Sequence, residues 1–141
     1  MIVFDATGSV VGRLASHCVK KALAGEDVVI VNAEKAVISG APTMVVRKYY
    51  NRRLMTQKGN PDHAAKWPRR PDLLLKRIIR GMVPKKRARG AIAYAKIRTH
   101  MGVPKELEGS KKEQYGVKKL SIASITLEKL CAQLGWTAGD V

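Results

Sequence analysis

The chain has 141 residues, 45% of them hydrophobic, which is enough for one domain with a buried core and excludes disorder throughout. Twenty-seven Lys and Arg residues against eleven Asp and Glu residues give a net charge of +16, and this excess predicts a polyanionic partner. No apolar run approaches the roughly 18 residues of a membrane helix, so no membrane is expected as a partner. The first residues lack the pattern of a signal peptide.

The charge is concentrated in the middle of the chain. Residues 1–46 are neutral overall, and residues 101–141 carry a net charge of +1. Residues 47–100 contain seventeen basic side chains and only two acidic ones, Asp62 and Asp72. Charge added only for solubility would be spread evenly, so we expect one basic binding surface on a neutral scaffold.

The first thirty residues predict a βαβ unit. Residues 2–5 have the composition of a short buried strand, and residues 27–32 (DVVIVN) that of a strand covered on both faces. Between them a helix begins near Val10 and ends before Gly25. Its apolar positions recur at helical spacing: Val11, Leu14, Ala15, Cys18, Val19 and Ala22.

A second helical pattern begins at Thr43, after a short strand or helical turn at 36–39. Its apolar side contains Val45, Val46, Tyr49, Tyr50 and Leu54. Arg53 falls within that apolar arc, which fits only if the helix ends there or the long side chain reaches beyond the apolar surface. The tyrosines can stack on unpaired bases, as can Trp67, but for the tyrosines a place in the core is at least as good an interpretation.

The basic middle continues through a loop over 57–71, rich in Pro and Gly, into a helix that begins at Pro71. Leu74, Leu75, Ile78 and Ile79 cover one arc of this helix, and Lys76, Arg77 and Arg80 cover the opposite arc. We expect the helix to end before Gly81, a link to include Pro84, a further helix over 85–96 weakened by Gly90, and a strand over 97–101.

The final third gives weaker signals. Residues 105–119 are polar and contain two glycines, which predicts a loop or extended arm. Thr126 can cap a short helix with the apolar positions Leu127, Leu130, Cys131 and Leu134, ended by Gly135. We therefore divide the chain into a core at 1–104 and a C-terminal arm with a short helix at 105–141.

The turn between the first strand and the first helix, Asp5 to Arg13, has a position that suits phosphate binding. Its spacing is that of neither the dinucleotide fingerprint nor the phosphate loop, so a structural turn is the better interpretation. Gly8 would then supply backbone freedom and Gly12 close packing of helix on sheet. The four expected structural-turn residues are Gly8, Gly12, Gly81 and Pro84.

Nothing in the sequence predicts a catalytic centre, a metal site or a cofactor. The three histidines are far apart in sequence, and both cysteines fall on apolar stripes, where cysteine behaves as a small buried hydrophobe. The acid-poor middle offers little for acid–base chemistry. We expect a non-enzymatic protein without a small-molecule substrate.

Sixteen basic side chains are the predicted contacts to nucleic acid. Arginine outnumbers lysine in this stretch, which favours bidentate phosphate contacts and stacking over diffuse attraction. The predicted residues are Arg47, Lys48, Arg52, Arg53, Lys58, Lys66, Arg69, Arg70, Lys76, Arg77, Arg80, Lys85, Lys86, Arg87, Arg89 and Arg98.

Several segments resemble the large-subunit ribosomal protein thirteen family in its archaeal type. They occur in family order over residues 2–104, about three-quarters of the chain. The matching stretches are Asp5-Ala6-Thr7-Gly8, Gly12-Arg13-Leu14-Ala15-Ser16, Ile30-Val31-Asn32-Ala33-Glu34-Lys35, Ile38-Ser39-Gly40, Arg80-Gly81-Met82-Val83-Pro84, Arg89-Gly90 and Gly102-Val103-Pro104.

The resemblance implies an α/β fold, a three-layer α/β/α sandwich around a mostly parallel four-stranded sheet. It also implies a structural role in the large ribosomal subunit, as a monomer that contacts ribosomal RNA and neighbouring ribosomal proteins in the cytoplasm, and support of subunit assembly. The residues alone leave two alternatives, a DNA-binding regulator and a nucleotide-binding α/β enzyme. The first would need a helix whose polar residues read bases, and the second a closed pocket for a mononucleotide.

Overall fold

The computed structural model describes residues 1–116 and 121–137. Its centre is a sheet of four parallel strands that lie side by side in the order Ile97–Thr99, Val28–Val31, Ile2–Asp5 and Lys112–Gln114. The strands are β1 (Ile2–Asp5), β2 (Val28–Val31), β4 (Ile97–Thr99) and β5 (Lys112–Gln114). A separate antiparallel pair joins β3 (Val37–Ser39) to β6 (Ser124–Thr126).

Five α-helices accompany these strands in the described part of the chain: α1 (Val11–Leu23), α2 (Pro42–Leu54), α3 (Pro71–Met82), α4 (Ala88–Ala95) and α5 (Leu127–Gln133). Helix α1 contacts α3, α4 and strand β2, and both α3 and α4 also contact strand β4. Helices α2 and α5 pack beside the β3–β6 pair. The α/β class and the mostly parallel four-stranded sheet are as predicted.

Successive side chains along each strand point to opposite faces of the sheet, so the strands contribute to two separate hydrophobic cores. Phe4, Ile30 and Ile97 are fully buried in the main core, which also contains the apolar stripes of α1, α3 and α5. The opposite face of the sheet contributes Val3, Val29 and Val31, against which Val103 and Leu107 pack. Leu107 lies in a short 3₁₀ helix (Lys105–Leu107), so the third layer of the sandwich is thin on that side.

The predicted apolar faces of α1 and α5 are confirmed, whereas that of α2 is only partly correct: Val45 and Tyr49 are buried, but Tyr50 and Leu54 are 51% and 61% exposed. All six apolar positions of α1 are buried, and Gly25 follows the helix with φ of +99°, a conformation that glycine adopts readily. Thr126 caps α5, where its hydroxyl accepts a hydrogen bond from the backbone N–H of Lys129, and Gly135 follows α5 with φ of +86°. These features are local in sequence, which is why the pattern predicts them.

The link between α3 and α4 differs from the prediction at both ends. Helix α3 continues to Met82, so Gly81 lies inside its last turn rather than beyond it. Helix α4 begins at Ala88, not at residue 85, because residues 85–87 form a turn in which Arg87 N–H donates to the carbonyl of Pro84. Of the two expected turn residues, only Pro84 lies in the link.

Three further predictions are wrong in detail. Gly12 is exposed in the first turn of α1, and a Cβ there would meet no atom within 4 Å, so it does not provide close packing of helix on sheet. The loop at 57–71 contains a short 3₁₀ helix (Pro61–His63). The segment expected as a loop at 105–119 contains β5, which pairs in parallel with β1, while its last residues, 117–119, lie outside the described residues.

Candidate nucleic-acid interface

Helix α3 separates its apolar and basic side chains as its periodicity predicts. Leu74, Leu75 and Ile79 are fully buried against the rest of the core. Arg77 and Arg80 lie on the other side of the helix and remain partly exposed. The burial of the leucines fixes the orientation of the helix, and so fixes where the guanidinium groups emerge.

Two adjoining depressions flank the basic side of α3. The first, of about 250 Å³, is lined by Trp67, Arg77, Arg80, Gly81 and Lys85. The second, of about 220 Å³, shares Arg77 and Arg80 with it and is completed by Lys66, Pro68, Leu73, Lys76 and Tyr94. We call the five cations around these depressions the α3 cluster: Lys66, Lys76, Arg77, Arg80 and Lys85.

Aromatic rings hold three cations of this region in place. The guanidinium carbons of Arg52 and Arg77 lie over the ring of Trp67, at 4.8 and 5.1 Å from its centroid. The ammonium nitrogen of Lys76 lies 5.5 Å from the centroid of the Tyr94 ring. Each such contact is worth about 0.5–1 kcal/mol at an exposed site, and it restricts side chains that would otherwise be mobile.

The tyrosines of α2 have different environments. Tyr49 is buried and meets Trp67 edge-on, with ring centroids 5.9 Å apart, so the core alternative is correct for this residue. Burial raises the pKa of its hydroxyl. Tyr50 is 51% exposed and borders a depression on α2 together with Arg47.

Four of the cations in the basic middle donate hydrogen bonds to carbonyls near helix ends. Arg53 donates to the carbonyl of Leu134 at 2.8 Å and Arg69 to that of Gly135 at 3.4 Å, both at the end of α5. At the end of α1, Arg89 donates to the carbonyl of Leu23 at 3.2 Å, and Lys96 to that of Gly25 at 2.6 Å. The last carbonyls of a helix have no partner within it, so a cation placed there stabilises the end of the helix.

Arg70 forms a bidentate ion pair with Asp72. The two N···O distances are 2.8 and 3.2 Å, and the carboxylate side chain is only 8% exposed. Because an unpaired carboxylate at that position would be costly, the pair maintains the start of α3. Arg70 and Arg53, in contrast to Arg77 and Arg80, therefore use some of their donors within the fold.

The remaining predicted side chains lie apart from the α3 cluster. Arg47 and Lys48 are exposed on α2, and Lys58 is exposed in the loop at 57–71. Lys86 and Arg87 are exposed in the link that follows Lys85. Arg98 lies on the edge strand β4, beside Met1 and Asp27, and lines a depression that it does not share with α3.

Sequence reasoning does not identify Tyr94 as part of this site. Tyr94 enters the second depression only because α4 packs where its ring meets Lys76 from α3. No pattern within α4 predicts that contact. The sequence does indicate Trp67 as a possible stacking residue, but its contacts with two arginines from two different helices also depend on tertiary structure.

The turn between β1 and α1 has its backbone N–H groups hydrogen-bonded within the chain. Gly8 has φ of +66°, the left-handed conformation expected for it. Within the turn the backbone N–H groups already have acceptors: the Asp5 carboxylate for Thr7, and the carbonyls of Lys35, Ala6 and Gly116 for Gly8, Ser9 and Val10. The geometry gives this turn a structural role.

Asp5 organises the same turn. Its Oδ1 accepts hydrogen bonds from the hydroxyl of Thr7 at 2.7 Å and from the side-chain amide of Asn32 at 3.0 Å. Partial burial alone would raise the pKa of Asp5, but these hydrogen bonds, with others from Thr7 and Gln114, outweigh it and lower the pKa below its ordinary value. The carboxylate therefore joins the ends of β1 and β2 in its charged form.

The cysteines and histidines show no reactive arrangement in the part of the chain that the structure describes. Burial raises the pKa of the Cys18 thiol to about 12, and burial with the nearby charge of Asp72 raises that of Cys131 to about 12, so neither is a ready nucleophile. His17 stacks on Tyr115 with centroids 3.8 Å apart. No three His, Cys, Asp or Glu side chains among the described residues are placed to hold a metal ion.

None of the described helices combines the length and the apolar character needed to cross a membrane.

Comparison with known proteins places the chain among ribosomal proteins. The family described as Ribosomal protein L13 matches residues 1–106. A large ribosomal subunit protein uL13 from Aeropyrum pernix is 43% identical over 98% of this chain and 92% of its own length. Proteins of the same name from Methanosarcina barkeri (47% identical; 77% and 76% covered) and Methanocaldococcus jannaschii (40% identical; 96% and 98% covered) are also similar. The chain belongs to the ribosomal protein L13 family.

Proposed function

We propose that the chain is a structural constituent of the large ribosomal subunit and that it binds ribosomal RNA through the basic surface of residues 47–100. Its relatives are named for that subunit, and they are similar over most of their own length. The expected partners are ribosomal RNA and neighbouring ribosomal proteins, in the cytoplasm and as part of translation. The role is structural and not enzymatic.

The observation that carries the RNA contact is the α3 cluster. Five cations surround two depressions, and the guanidinium groups of Arg77 and Arg80 make no hydrogen bond or ion pair to any described residue. Each guanidinium has five N–H donors in a fixed plane, an arrangement that suits the oxygens of a phosphate. These donors are therefore free for an external anion.

The sixteen predicted residues then contribute unequally. The α3 cluster and Arg52 are the proposed centre of the contact, and the exposed residues Arg47, Lys48, Lys58, Lys86, Arg87 and Arg98 extend it as electrostatic attraction. Arg53, Arg69, Arg70 and Arg89 use part of their hydrogen-bonding capacity within the fold. Replacing one of these four would disturb stability together with binding.

The two alternative functions have less support. A DNA-binding regulator reads bases with polar side chains of a recognition helix, whereas the basic side of α3 offers Lys76, Arg77 and Arg80, which favour phosphate contacts over the reading of sequence. A nucleotide-binding enzyme of this topology would bind phosphate at the β1–α1 turn, where the N–H groups from Thr7 to Val10 already have acceptors within the chain.

Charge reversal on α3 tests the proposal. Arg77→Glu with Arg80→Glu removes the two shared cations of the depressions without touching Leu74, Leu75 or Ile79, so thermal stability should change little. Incorporation of a tagged copy into large subunits should fall at least tenfold. The measurement is the ratio of subunit-bound to free protein across a sucrose gradient of a cell lysate.

The matched control carries the same change of charge elsewhere. Lys105→Glu with Lys129→Glu alters two exposed lysines outside residues 47–100. It should leave incorporation within about twofold of the unaltered chain, because long-range charge effects are screened at cellular ionic strength. If both double variants lost incorporation into large subunits to the same extent, the RNA contact would not be localised at α3. A chain that never enters large subunits would contradict the proposed function.

A further inference from the structure

The two depressions beside α3 repeat one arrangement. Each contains an aromatic ring with a cation on it: Trp67 with Arg77 in the first and Tyr94 with Lys76 in the second. Arg77 and Arg80 belong to both and form the ridge between them. The two recesses are of similar volume, about 250 and 220 Å³.

This arrangement exceeds what neutralising a helical phosphate backbone requires. Exposed lysines on a convex surface are sufficient for that, because phosphates lie on the outside of a duplex. Recesses of 220–250 Å³ lie below the roughly 300–1,000 Å³ typical of sites for whole organic ligands, so each suits a fragment about the size of one base. A base fits such a recess only when it is unpaired and turned out of the stack.

The chemistry of the lining fits the same fragment. Planar guanidinium groups and aromatic rings are the surfaces on which proteins stack unpaired bases. The Arg77 guanidinium carbon lies 5.1 Å from the Trp67 ring centroid, and a guanidinium is a planar group on which a base can stack. Arg80, on the ridge, makes no hydrogen bond or ion pair with any described residue and can bind the phosphate between two nucleotides.

We propose that the α3 cluster is a binding site for single-stranded RNA, in which unpaired bases enter the two depressions and the phosphate between them lies on the ridge of Arg77 and Arg80. This inference rests on the proposed function, since it specifies the form of RNA that the same surface binds. Arg77 provides a stacking plane in addition to its charge. Trp67 is a positioning residue that acts through Arg52 and Arg77.

The test compares two forms of RNA against variants that preserve charge. The probes are a short single-stranded RNA without self-complementarity and a blunt RNA duplex with the same number of phosphates, each titrated onto the full chain at one salt concentration. Arg77→Lys removes the planar group and keeps the charge. It should weaken binding of the single strand about fivefold or more, the lower end of the 1–3 kcal/mol per stacked base, and change duplex binding less than about twofold.

A second variant tests the positioning role. Trp67→Leu keeps an apolar side chain but removes the ring that holds both arginines, and it should produce the same selective loss provided that thermal melting shows a folded protein. Arg13→Lys makes the same chemical change as Arg77→Lys at an exposed position of α1 outside the basic middle, so it should alter neither affinity. If Trp67→Leu does not fold, Arg77→Lys still decides the question.

Fluorescence supplies an independent readout. Trp136, the second tryptophan, is 9% exposed and buries its ring nitrogen without a described partner, so Trp136→Phe leaves Trp67 as the sole tryptophan at modest structural cost. In this background the single strand should quench Trp67 emission at saturation, and the duplex should quench it much less.

If Arg77→Lys lowers the affinity for both RNAs equally, or leaves the affinity for the single strand unchanged, the single-strand site is wrong. RNA binding by the chain would still stand. Failure of the unaltered chain to bind either RNA would contradict the proposed function itself. The two failures are thus distinguishable in one set of titrations.

Discussion

An alanine at position 90 would overlap the carbonyl group of Pro84, because α4 meets the α3–α4 link with only a hydrogen atom's room at Gly90. The neighbour is backbone and cannot move independently, so we expect Gly90→Ala to destabilise the fold by about 1–3 kcal/mol, the usual range for overpacking. Urea unfolding measures it.

Gly81→Ala is the matched control in the same region. Its Cβ would meet no atom within 4 Å, and the residue lies inside the last turn of α3, where alanine is preferred to glycine by about 0.5–1 kcal/mol. Gly90→Ala should therefore lower the free energy of unfolding, and Gly81→Ala should raise it. A neutral Gly90→Ala would show that the link does not pack on α4 in solution.

The Asp5 carboxylate should make stability depend on pH. Its pKa in the folded chain is lowered, so its contribution is complete above the ordinary value of about 3.9 and is lost as pH falls through the folded value. Asp5→Asn should cost on the order of 1–2 kcal/mol at pH 7, where hydrogen bonds to the charged group are lost. The difference from the unaltered chain should shrink near pH 2.5. A difference in urea midpoint that stays constant between the two pH values would contradict this role.

At the scale of elements, β5 and α5 make the final third of the chain part of the main structure. Leu127, Leu130 and Leu134 of the α5 region are buried in the same core as α1 and α3. Full burial of such a side chain is worth roughly 1.5–3 kcal/mol, and a whole domain is stable by only about 5–15 kcal/mol. A fragment of residues 1–104 should therefore not unfold cooperatively. Thermal melting followed by circular dichroism tests this, and a sharp transition would establish 1–104 as an independent domain.

The sequence predicts elements whose signal is local. The stripe of α1 and the cap at Thr126 depend on residues within a few turns of one another, so periodicity and residue type suffice. Strand β5 has no such signal, because Lys112, Glu113 and Gln114 are polar and form a strand only through backbone pairing with β1 at the edge of the sheet.

The candidate site divides in the same way. Composition locates the basic surface, and the spacing of α3 predicts which side its cations occupy. Whether an arginine is free or already bound is decided by tertiary contacts. Arg53 reaches the end of α5 across 81 positions of sequence, and Arg69 reaches it across 66. The sequence around Arg53 and Arg69 therefore does not predict either contact.

At the scale of the whole molecule, the basic surface should make RNA binding depend steeply on salt. If about six to seven phosphates are neutralised, the logarithm of the association constant should fall with the logarithm of salt concentration at a slope near −5, at roughly 0.7–0.9 per contact. In Arg77→Glu with Arg80→Glu, which removes two of these contacts, the slope should be shallower by about 1.4–1.8. Filter binding at several salt concentrations measures both, and a slope near zero with affinity intact would contradict an electrostatic contact.

Strand β1 lies between β2 and β5, and Val3 pairs with Lys112. The first strand to leave the exit tunnel therefore acquires its second neighbour only when most of the chain has been synthesised. Until then its backbone edge is open, and an open edge can pair with another chain. Closing a loop of that length is also slow compared with forming α1. The nascent protein is thus exposed to such pairing at least until residue 114 has been translated, however early the helices before it begin to form.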